Sequence, residues 1–111
     1  MKRLLVVLAV AAGLAACSWE DMADYPCPPG GTALTWDNFG HGFFQSYCVS
    51  CHGGPNGYSS RAFTDVETVR AQATDIFRNA ARDNTTMPPG PSDPPKDARY
   101  QLGEWLACGA P

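Results

Sequence analysis

Cys48-Val49-Ser50-Cys51-His52 is the stretch that decides the fold of this 111-residue chain. Two thiols at this spacing can each form a thioether with one vinyl group of a porphyrin, and a histidine directly after them can bind the iron at the centre of the ring. The pattern therefore predicts one covalently bound haem c. Cys48 and Cys51 would anchor it, and His52 would be the proximal ligand of the iron.

The spacing Cys-x-x-Cys also occurs in zinc sites and in thioredoxin-like redox sites. A zinc site needs further ligands at a similarly short spacing, but the other histidine is His41 and the remaining cysteines lie far along the chain. A thioredoxin-like site needs alternating strands and helices, and the sequence lacks that pattern. The pentapeptide therefore favours haem over both alternatives.

The N terminus has the pattern of an exported protein. Lys2 and Arg3 precede an apolar run over residues 4–14, and small residues lead to Cys17, so residues 1–16 are predicted to be a signal peptide. The run is too short to be a permanent membrane span. Its ending, Leu-Ala-Ala-Cys, resembles a bacterial lipobox, which implies that Cys17 is acylated. The alternative is an ordinary signal peptide with a cysteine near its cleavage site.

The next segment separates the signal peptide from a single predicted domain. Residues 18–31 contain acids, prolines and a Gly-Gly pair without helical or strand periodicity. We therefore expect a tether over residues 17–34 and a folded domain over residues 35–111. With lipid on Cys17, the protein would be a membrane lipoprotein of the cell envelope that faces the periplasm. Ser18 after the acylated cysteine is compatible with the outer membrane of a Gram-negative cell.

The charge of the chain bears on its partners. Eight Lys and Arg stand against 11 Asp and Glu, a formal net charge of −3, and loss of the signal peptide removes two of the basic residues. An acidic chain of this kind is not expected to bind nucleic acid. It suits a redox protein partner that carries a basic patch.

The cysteine count predicts a disulfide. Of the five cysteines, one is assigned to lipid and two to haem, which leaves Cys27 and Cys108. In an oxidising compartment these two most simply pair with each other. The alternatives are two free thiols or intermolecular pairing. A bond that closes so long a loop would stabilise the domain by about 4 to 5 kcal/mol.

The first predicted helix covers residues 36–51 and leads into the haem cysteines. Thr35 or Asp37 can cap its start, and aromatic residues recur along one face. Glycine is a poor helix former, so Gly40 indicates a point where another backbone comes close. The aromatic residues are Phe39, Phe43, Phe44 and Tyr47.

Two further helices complete an all-α prediction. One begins at a capping box formed by Thr64 and a glutamate three positions later, and its apolar periodicity continues to about Asn84. The other is capped by Ser92 or Asp93, has a proline in its first turn and ends before Gly109.

A proline-rich loop over residues 85–92 carries Met87, the only methionine of the predicted domain. Its thioether is a soft donor of the kind that completes low-spin haem iron, and a stiff loop would hold it in place. The alternative is a core methionine that fills a gap. We predict that Met87 is the second axial ligand.

Together these features resemble the class I c-type cytochromes, over a region from about Trp36 to Ala107. Members of that family typically have a glycine eight residues and an aromatic residue four residues before the first haem cysteine, and Gly40 and Phe44 hold those positions. Their last helix typically contains leucine, two other residues, an aromatic residue and leucine, as residues 102–106 do.

The resemblance implies a small cytochrome c-like fold of about three main helices around one haem. The first and last helices would cross, with Gly40 against the face that contains Leu102 and Trp105. Met87 would be the distal ligand, in agreement with the prediction from its loop.

One feature departs from the family. The family usually has a proline several residues beyond the haem histidine, and its carbonyl accepts the hydrogen on the histidine Nδ1. Here Pro55 stands only three residues after His52. The acceptor for His52 is therefore not identified by the sequence.

The expected function is electron transfer by a lipid-anchored carrier, without enzymatic activity or a small-molecule substrate. Axial ligation by His52 and Met87 leaves no open site on the iron, and a thioether ligand raises the reduction potential. The haem is expected to be buried against aromatic residues: Phe43, Phe44, Phe63, Phe77 and Trp105.

Two alternatives use the same haem. If Met87 does not bind, the protein would be a five-coordinate haem enzyme or gas sensor, although such sites usually add a polar distal group and His41 is expected to face solvent. The protein could also be a fixed haem subunit of a larger membrane oxidoreductase, which differs from a free carrier only in the permanence of its partner.

Overall fold

The computed structural model of this chain describes residues 18–54, 61–91 and 93–111. Within these ranges the secondary structure is helical and no strand is formed, which confirms the all-α prediction. The predicted signal peptide, the predicted lipid site Cys17, residues 55–60 with Pro55, and the candidate cap Ser92 lie outside the described residues. Among the described helices, none has the length and apolar character that a membrane span requires.

The first helical segment begins where it was predicted, at Thr35. The Thr35 Oγ1 accepts from the Asn38 N–H at 3.1 Å, and the Asn38 Oδ1 accepts from the Thr35 N–H at 2.7 Å. A π-helical turn over Trp36–Gly40 leads into helix α1, His41–Tyr47.

The predicted first helix is divided near its end. Helix α2 covers Val49–His52, and Cys48 between α1 and α2 leaves the helical region with a φ of −122°. Four of the five residues of the predicted haem motif therefore lie on a short helix of their own, and Cys48 stands directly before it.

The second predicted helix is also divided. Helix α3 covers Val66–Ala71 and helix α4 covers Ala73–Ala80, with Gln72 at a φ of −116° between them. The cap is Asp65, whose Oδ1 accepts from the Thr68 N–H at 2.9 Å, and not the neighbouring Thr64.

Helix α4 ends four residues earlier than predicted. Ala81 has an extended ψ of 149°, and Arg82 has a positive φ of 56°. The chain therefore turns sharply after Ala80, and residues 81–91 form a loop that returns to α5. Helix α5, Lys96–Ala107, follows directly after Pro95, which takes the cap position predicted for Ser92 or Asp93.

The core is apolar and draws on α1, α3, α4, α5 and the segments beside them. Helix α4 packs against α5, and α1 packs against the π-helical turn and α2. The buried apolar side chains are Phe43, Phe44, Phe63, Val69, Ile76, Phe77, Ala80, Ala81, Leu102, Trp105, Leu106 and Ala110.

Gly40 makes the close approach that was predicted for it. A Cβ atom at this position would lie 2.7 Å from Cζ2 of Trp105 and 2.9 Å from Cε3 of Trp36. Contacts this short exclude any side chain larger than hydrogen unless the rings move. Gly40 therefore lets the N-terminal helical segment lie directly on α5.

The segment before residue 35 also packs against the domain. The N–H of Glu20 donates to Oδ1 of the buried Asn84 at 2.8 Å, and Nδ2 of Asn84 donates to the Glu20 carbonyl at 2.9 Å. Oε2 of Glu20 accepts from Nε of Arg82 at 3.1 Å. These contacts reach back to Glu20, so the predicted tether is packed against the helices along part of its length.

A 3₁₀ turn over Met22–Asp24 continues this packing against α4 and α5. Beyond it the sulfur atoms of Cys27 and Cys108, the pair for which a disulfide is predicted, are 1.98 Å apart. The bond joins the N-terminal segment to the end of α5.

Candidate functional site

One cavity of about 590 Å³ brings together all four of the residues predicted to hold haem. Cys48, Cys51 and His52 line it on one side, and Met87 lines it from the loop that follows α4. Its volume lies within the range of about 300 to 1,000 Å³ that is usual for ligand and cofactor sites.

The wall of the cavity combines apolar and polar side chains. Two of the five aromatic residues expected around the haem, Phe44 and Phe63, line it. Phe43, Phe77 and Trp105 are buried in the core. The apolar part of the wall is Phe44, Tyr47, Phe63, Ile76 and Ala80, and the polar part includes Ser46, Ser50, Arg61, Asp75 and Asn79.

His52 is held by Arg61 and Phe63. Its Nδ1 lies 3.1 Å from the carbonyl oxygen of Arg61, and its own carbonyl accepts from the Phe63 N–H at 2.8 Å. The His52 ring also stacks on the Phe63 ring with a centroid distance of 4.7 Å. Arg61 therefore supplies the acceptor that the sequence did not identify.

The Arg61 carbonyl also determines which nitrogen of His52 can bind a metal. A carbonyl oxygen can only accept a hydrogen bond, so Nδ1 must carry the hydrogen. Nε2 then keeps its lone pair, which is the state that an iron ligand requires.

Cys48 and Cys51 are free thiols in the cavity wall, and both are partly buried. Burial raises the pKa of the Cys48 thiol to about 12, although the positive charge of Arg99 acts in the opposite direction. Reactive cysteines of thioredoxin-like sites instead have lowered pKa values. The buried environment of Cys48 therefore differs from that of an activated thiol.

Met87 is fixed through its backbone. Its N–H donates to the Asn79 carbonyl at 2.7 Å, and its carbonyl accepts from Nη1 of Arg99 at 2.8 Å. Met87 lines the cavity, and 41% of its surface is exposed. The two backbone bonds therefore hold the loop where it reaches the cavity.

Arg99 is a second residue that the sequence did not reveal; it does not line the cavity but binds the Met87 carbonyl. Arginine on a helix is normally a surface residue, but Arg99 is buried on α5. A signal was available: Arg99 stands three positions before Leu102 and seven before Leu106, which is the spacing of the apolar face of a helix.

Neither His41 nor a metal cluster adds to the site. His41 is exposed on α1, with its ring centroid 5.5 Å from that of Trp36. Across residues 18–54, 61–91 and 93–111, no three His, Cys, Asp or Glu side chains come together as a bare metal ion would require. A haem does not need such a cluster, because the porphyrin supplies four of the six iron ligands.

The residues present fit a c-type haem. Two thiols, one imidazole with a free Nε2 and one thioether line a single cavity whose wall is partly aromatic. These are the groups that such a haem uses for covalent attachment and axial ligation.

Comparisons with known proteins give no relative for this chain: no family model, no curated protein and no solved structure matched it.

Proposed function

We propose that this protein is a class I c-type cytochrome that transfers electrons. One haem c would be attached through Cys48 and Cys51, with His52 and Met87 as the axial ligands. The observation that carries the proposal is that all four side chains line the same cavity. The bound haem would supply one-electron redox chemistry.

The protein's own residues would determine how that chemistry proceeds. The Arg61 carbonyl holds the Nδ1 hydrogen of His52 and so would leave Nε2 available to bind the haem iron. Phe44 and Phe63 line the cavity and would exclude water from one side of the haem. Exclusion of water favours the ferrous state, because the ferric form carries more charge. With both axial positions filled, a substrate has no access to the iron.

The proposal includes a location. Lipid on Cys17 would anchor the protein to a membrane of the cell envelope, facing the periplasm. It would exchange electrons there with redox proteins in or near the membrane, as a free carrier or as a fixed subunit of an oxidoreductase. Mild detergent extraction distinguishes the two, because a fixed subunit co-purifies with its partner in constant ratio.

One observation favours a second candidate, a five-coordinate haem enzyme or gas sensor. Met87 lies on the loop between α4 and α5 and not on a helix, so a movement of that loop would free the distal position. Asn79 in the cavity wall could then supply a polar group to a bound gas.

Absorption spectra of the exported protein separate the two candidates. The electron carrier is expected to be low-spin, to show the weak far-red sulfur-to-iron band when oxidised, and to ignore carbon monoxide when reduced. Met87→Leu should lose the band and bind the gas. Met22→Leu is the matched control, because Met22 packs against the core, and it should behave like the wild type.

Two other results would contradict the electron-carrier proposal. A wild-type protein that is high-spin or binds carbon monoxide readily would favour the enzyme or sensor. A protein exported without covalent haem would contradict both candidates.

A further inference from the structure

Arg99 is a buried cation for which electron transfer itself gives no reason. It lies on α5 and only 4% of its surface is exposed. Removing a charge from water is costly unless hydrogen bonds and nearby charges compensate for it. A buried arginine therefore indicates a structural requirement that its partners should reveal.

The partners of Arg99 are backbone carbonyls of a single stretch of chain. Nη1 lies 2.8 Å from the Ala80 carbonyl oxygen, 3.1 Å from that of Asn84 and 2.8 Å from that of Met87. The Asp93 carboxylate is 3.8 Å from Nη2 and is itself largely exposed. The guanidinium thus connects the end of α4, the turn after it and the methionine loop.

The backbone of Arg99 strengthens this connection. Its carbonyl accepts from the Arg82 N–H at 2.9 Å, within the same stretch of chain. Residues 80–87 are therefore bound to one position of α5 by both the main chain and the side chain. Ala80 ends α4, where carbonyl groups have no helical partner and attract a positive charge.

Met87 depends on this arrangement through its backbone, which is held at both the N–H and the carbonyl. The N–H donates to the Asn79 carbonyl, and the carbonyl accepts from Arg99. These bonds therefore set where the Met87 side chain begins.

We propose that Arg99 is the positioning residue that keeps Met87 available to the haem iron. It acts through the Met87 carbonyl and does not itself contact the haem. The proposal rests on the proposed role of Met87 as an axial ligand. When the Arg99 bonds are lost, the loop after α4 opens and the sixth position of the iron becomes accessible to other ligands.

The test uses haem-loaded Arg99→Met and Arg99→Lys. Methionine removes the charge and all donors at similar length, whereas lysine keeps the charge but lacks the fork of the guanidinium. The control is Arg70→Met, since Nε of Arg70 also donates to a backbone carbonyl, that of Ala110, at 2.9 Å. This bond lies away from the methionine loop.

Ligand competition gives the readout. In Arg99→Met, the imidazole concentration that abolishes the far-red band should be at least tenfold lower than in the wild type, and the reduced protein should bind carbon monoxide. For Arg99→Lys this concentration should lie between those two values. For Arg70→Met it should equal that of the wild type. In a Met87→Leu background, Arg99→Lys should not alter carbon monoxide affinity further. Two results would overturn the proposal. One is an Arg99 variant that loses thermal stability but needs as much imidazole as the wild type to abolish the band. The other is a further change in carbon monoxide affinity when Arg99→Lys is added to Met87→Leu.

A second measurement leaves Arg99 intact, in case its variants do not fold. Coupling between two sites is reciprocal. If Arg99 stabilises the bond between iron and Met87, that bond should in turn protect the Arg99 guanidinium hydrogens from exchange with solvent. The Arg99 Nη1 hydrogens should exchange with solvent at least tenfold faster in Met87→Leu than in the wild type, as measured by NMR. Equal rates would contradict the coupling. A wild-type spectrum without the far-red band would instead contradict the proposed role of Met87, and with it that of Arg99.

Discussion

Nδ1 of His52 lies 3.1 Å from the carbonyl oxygen of Arg61, nine residues further along the chain. The sequence identified no acceptor, since Pro55 stands only three residues after His52, whereas the structure uses the backbone of Arg61. Because Phe63 also donates its N–H to the His52 carbonyl and stacks on the ring, two separate contacts fix the imidazole. The orientation of the proposed ligand therefore depends on residues 61–63.

Phe63→Ala tests this dependence, with Phe43→Ala as the matched control. Both phenylalanines are buried, so each variant is expected to lose about 3 to 5 kcal/mol of unfolding free energy. Only Phe63 stacks on His52 and lines the cavity. Denaturant titration should show similar losses, and only Phe63→Ala should lower the reduction potential, because water beside the haem stabilises the ferric state. Equal potentials in the two variants would contradict the role of Phe63.

Substitution of two nearby glycines in the first helical segment by alanine should change the free energy of unfolding in opposite directions. In Gly40→Ala, the new methyl group would meet Trp105 at 2.7 Å, and such overpacking costs about 1 to 3 kcal/mol. In Gly42→Ala the added methyl group meets no atom within 4 Å, so alanine should stabilise the helix by about 0.5 to 1 kcal/mol. Urea denaturation of both variants measures the difference. A stabilised Gly40→Ala would show that α5 can shift away.

The disulfide should contribute to stability without being needed for haem binding. Cys27 and Cys108 are 81 positions apart, and closing a loop of that length corresponds to about 4 to 5 kcal/mol in the chain-entropy model. The double variant Cys27→Ser, Cys108→Ser should therefore unfold at a lower denaturant concentration and keep its absorption spectrum. An unchanged midpoint would mean that the contacts of Glu20 alone hold the N-terminal segment.

Acid should release the N-terminal segment before the helices unfold. A hydrogen bond from Arg78 holds the pKa of Asp21 below its usual value. Burial acts against this at Glu20, but hydrogen bonds led by that from Tyr25 outweigh it and lower the pKa. A lowered pKa in the folded state stabilises the contact above the ordinary pKa, about 4, and this contribution is lost as pH falls below it.

Hydrogen exchange checks the acid prediction. Protection factors of the amides of residues 20–25 should fall as the pH is lowered below about 4, while those of α5 stay high. Asp21→Asn removes the charged partner of Arg78 and should weaken the pH dependence. Loss of protection in α5 at the same pH would show that the segment and the helices unfold together.

The sequence predicted the residues that line the cavity better than the way in which they are held. The haem motif, Met87 and the Gly40 contact follow from short patterns whose chemistry is local. The break at Gln72 left no such pattern, because glutamine is a good helix former and the apolar periodicity continues across it. Thr64 and Asp65 are adjacent and both can cap a helix, so the choice between them depends on the tertiary structure.

Arg99 and Glu20 show a second reason why the sequence was insufficient. The partners that tie them to distant parts of the chain lie 12 to 19 positions from Arg99 and 62 to 64 positions from Glu20. No periodicity connects residues at such separations, and acids and prolines without a pattern predict only a linker. The packing of the N-terminal segment therefore became visible only in three dimensions.

The attachment of Glu20 limits how the protein could search for its partners. Glu20 stands three positions after Cys17, and a fully extended chain over three positions spans about 11 Å. With lipid on Cys17, as proposed, the domain would remain at the membrane surface, because the linker is too short to let it move far from the bilayer. Its encounters with electron donors and acceptors would then be collisions in two dimensions, at a rate set by lateral diffusion in the bilayer.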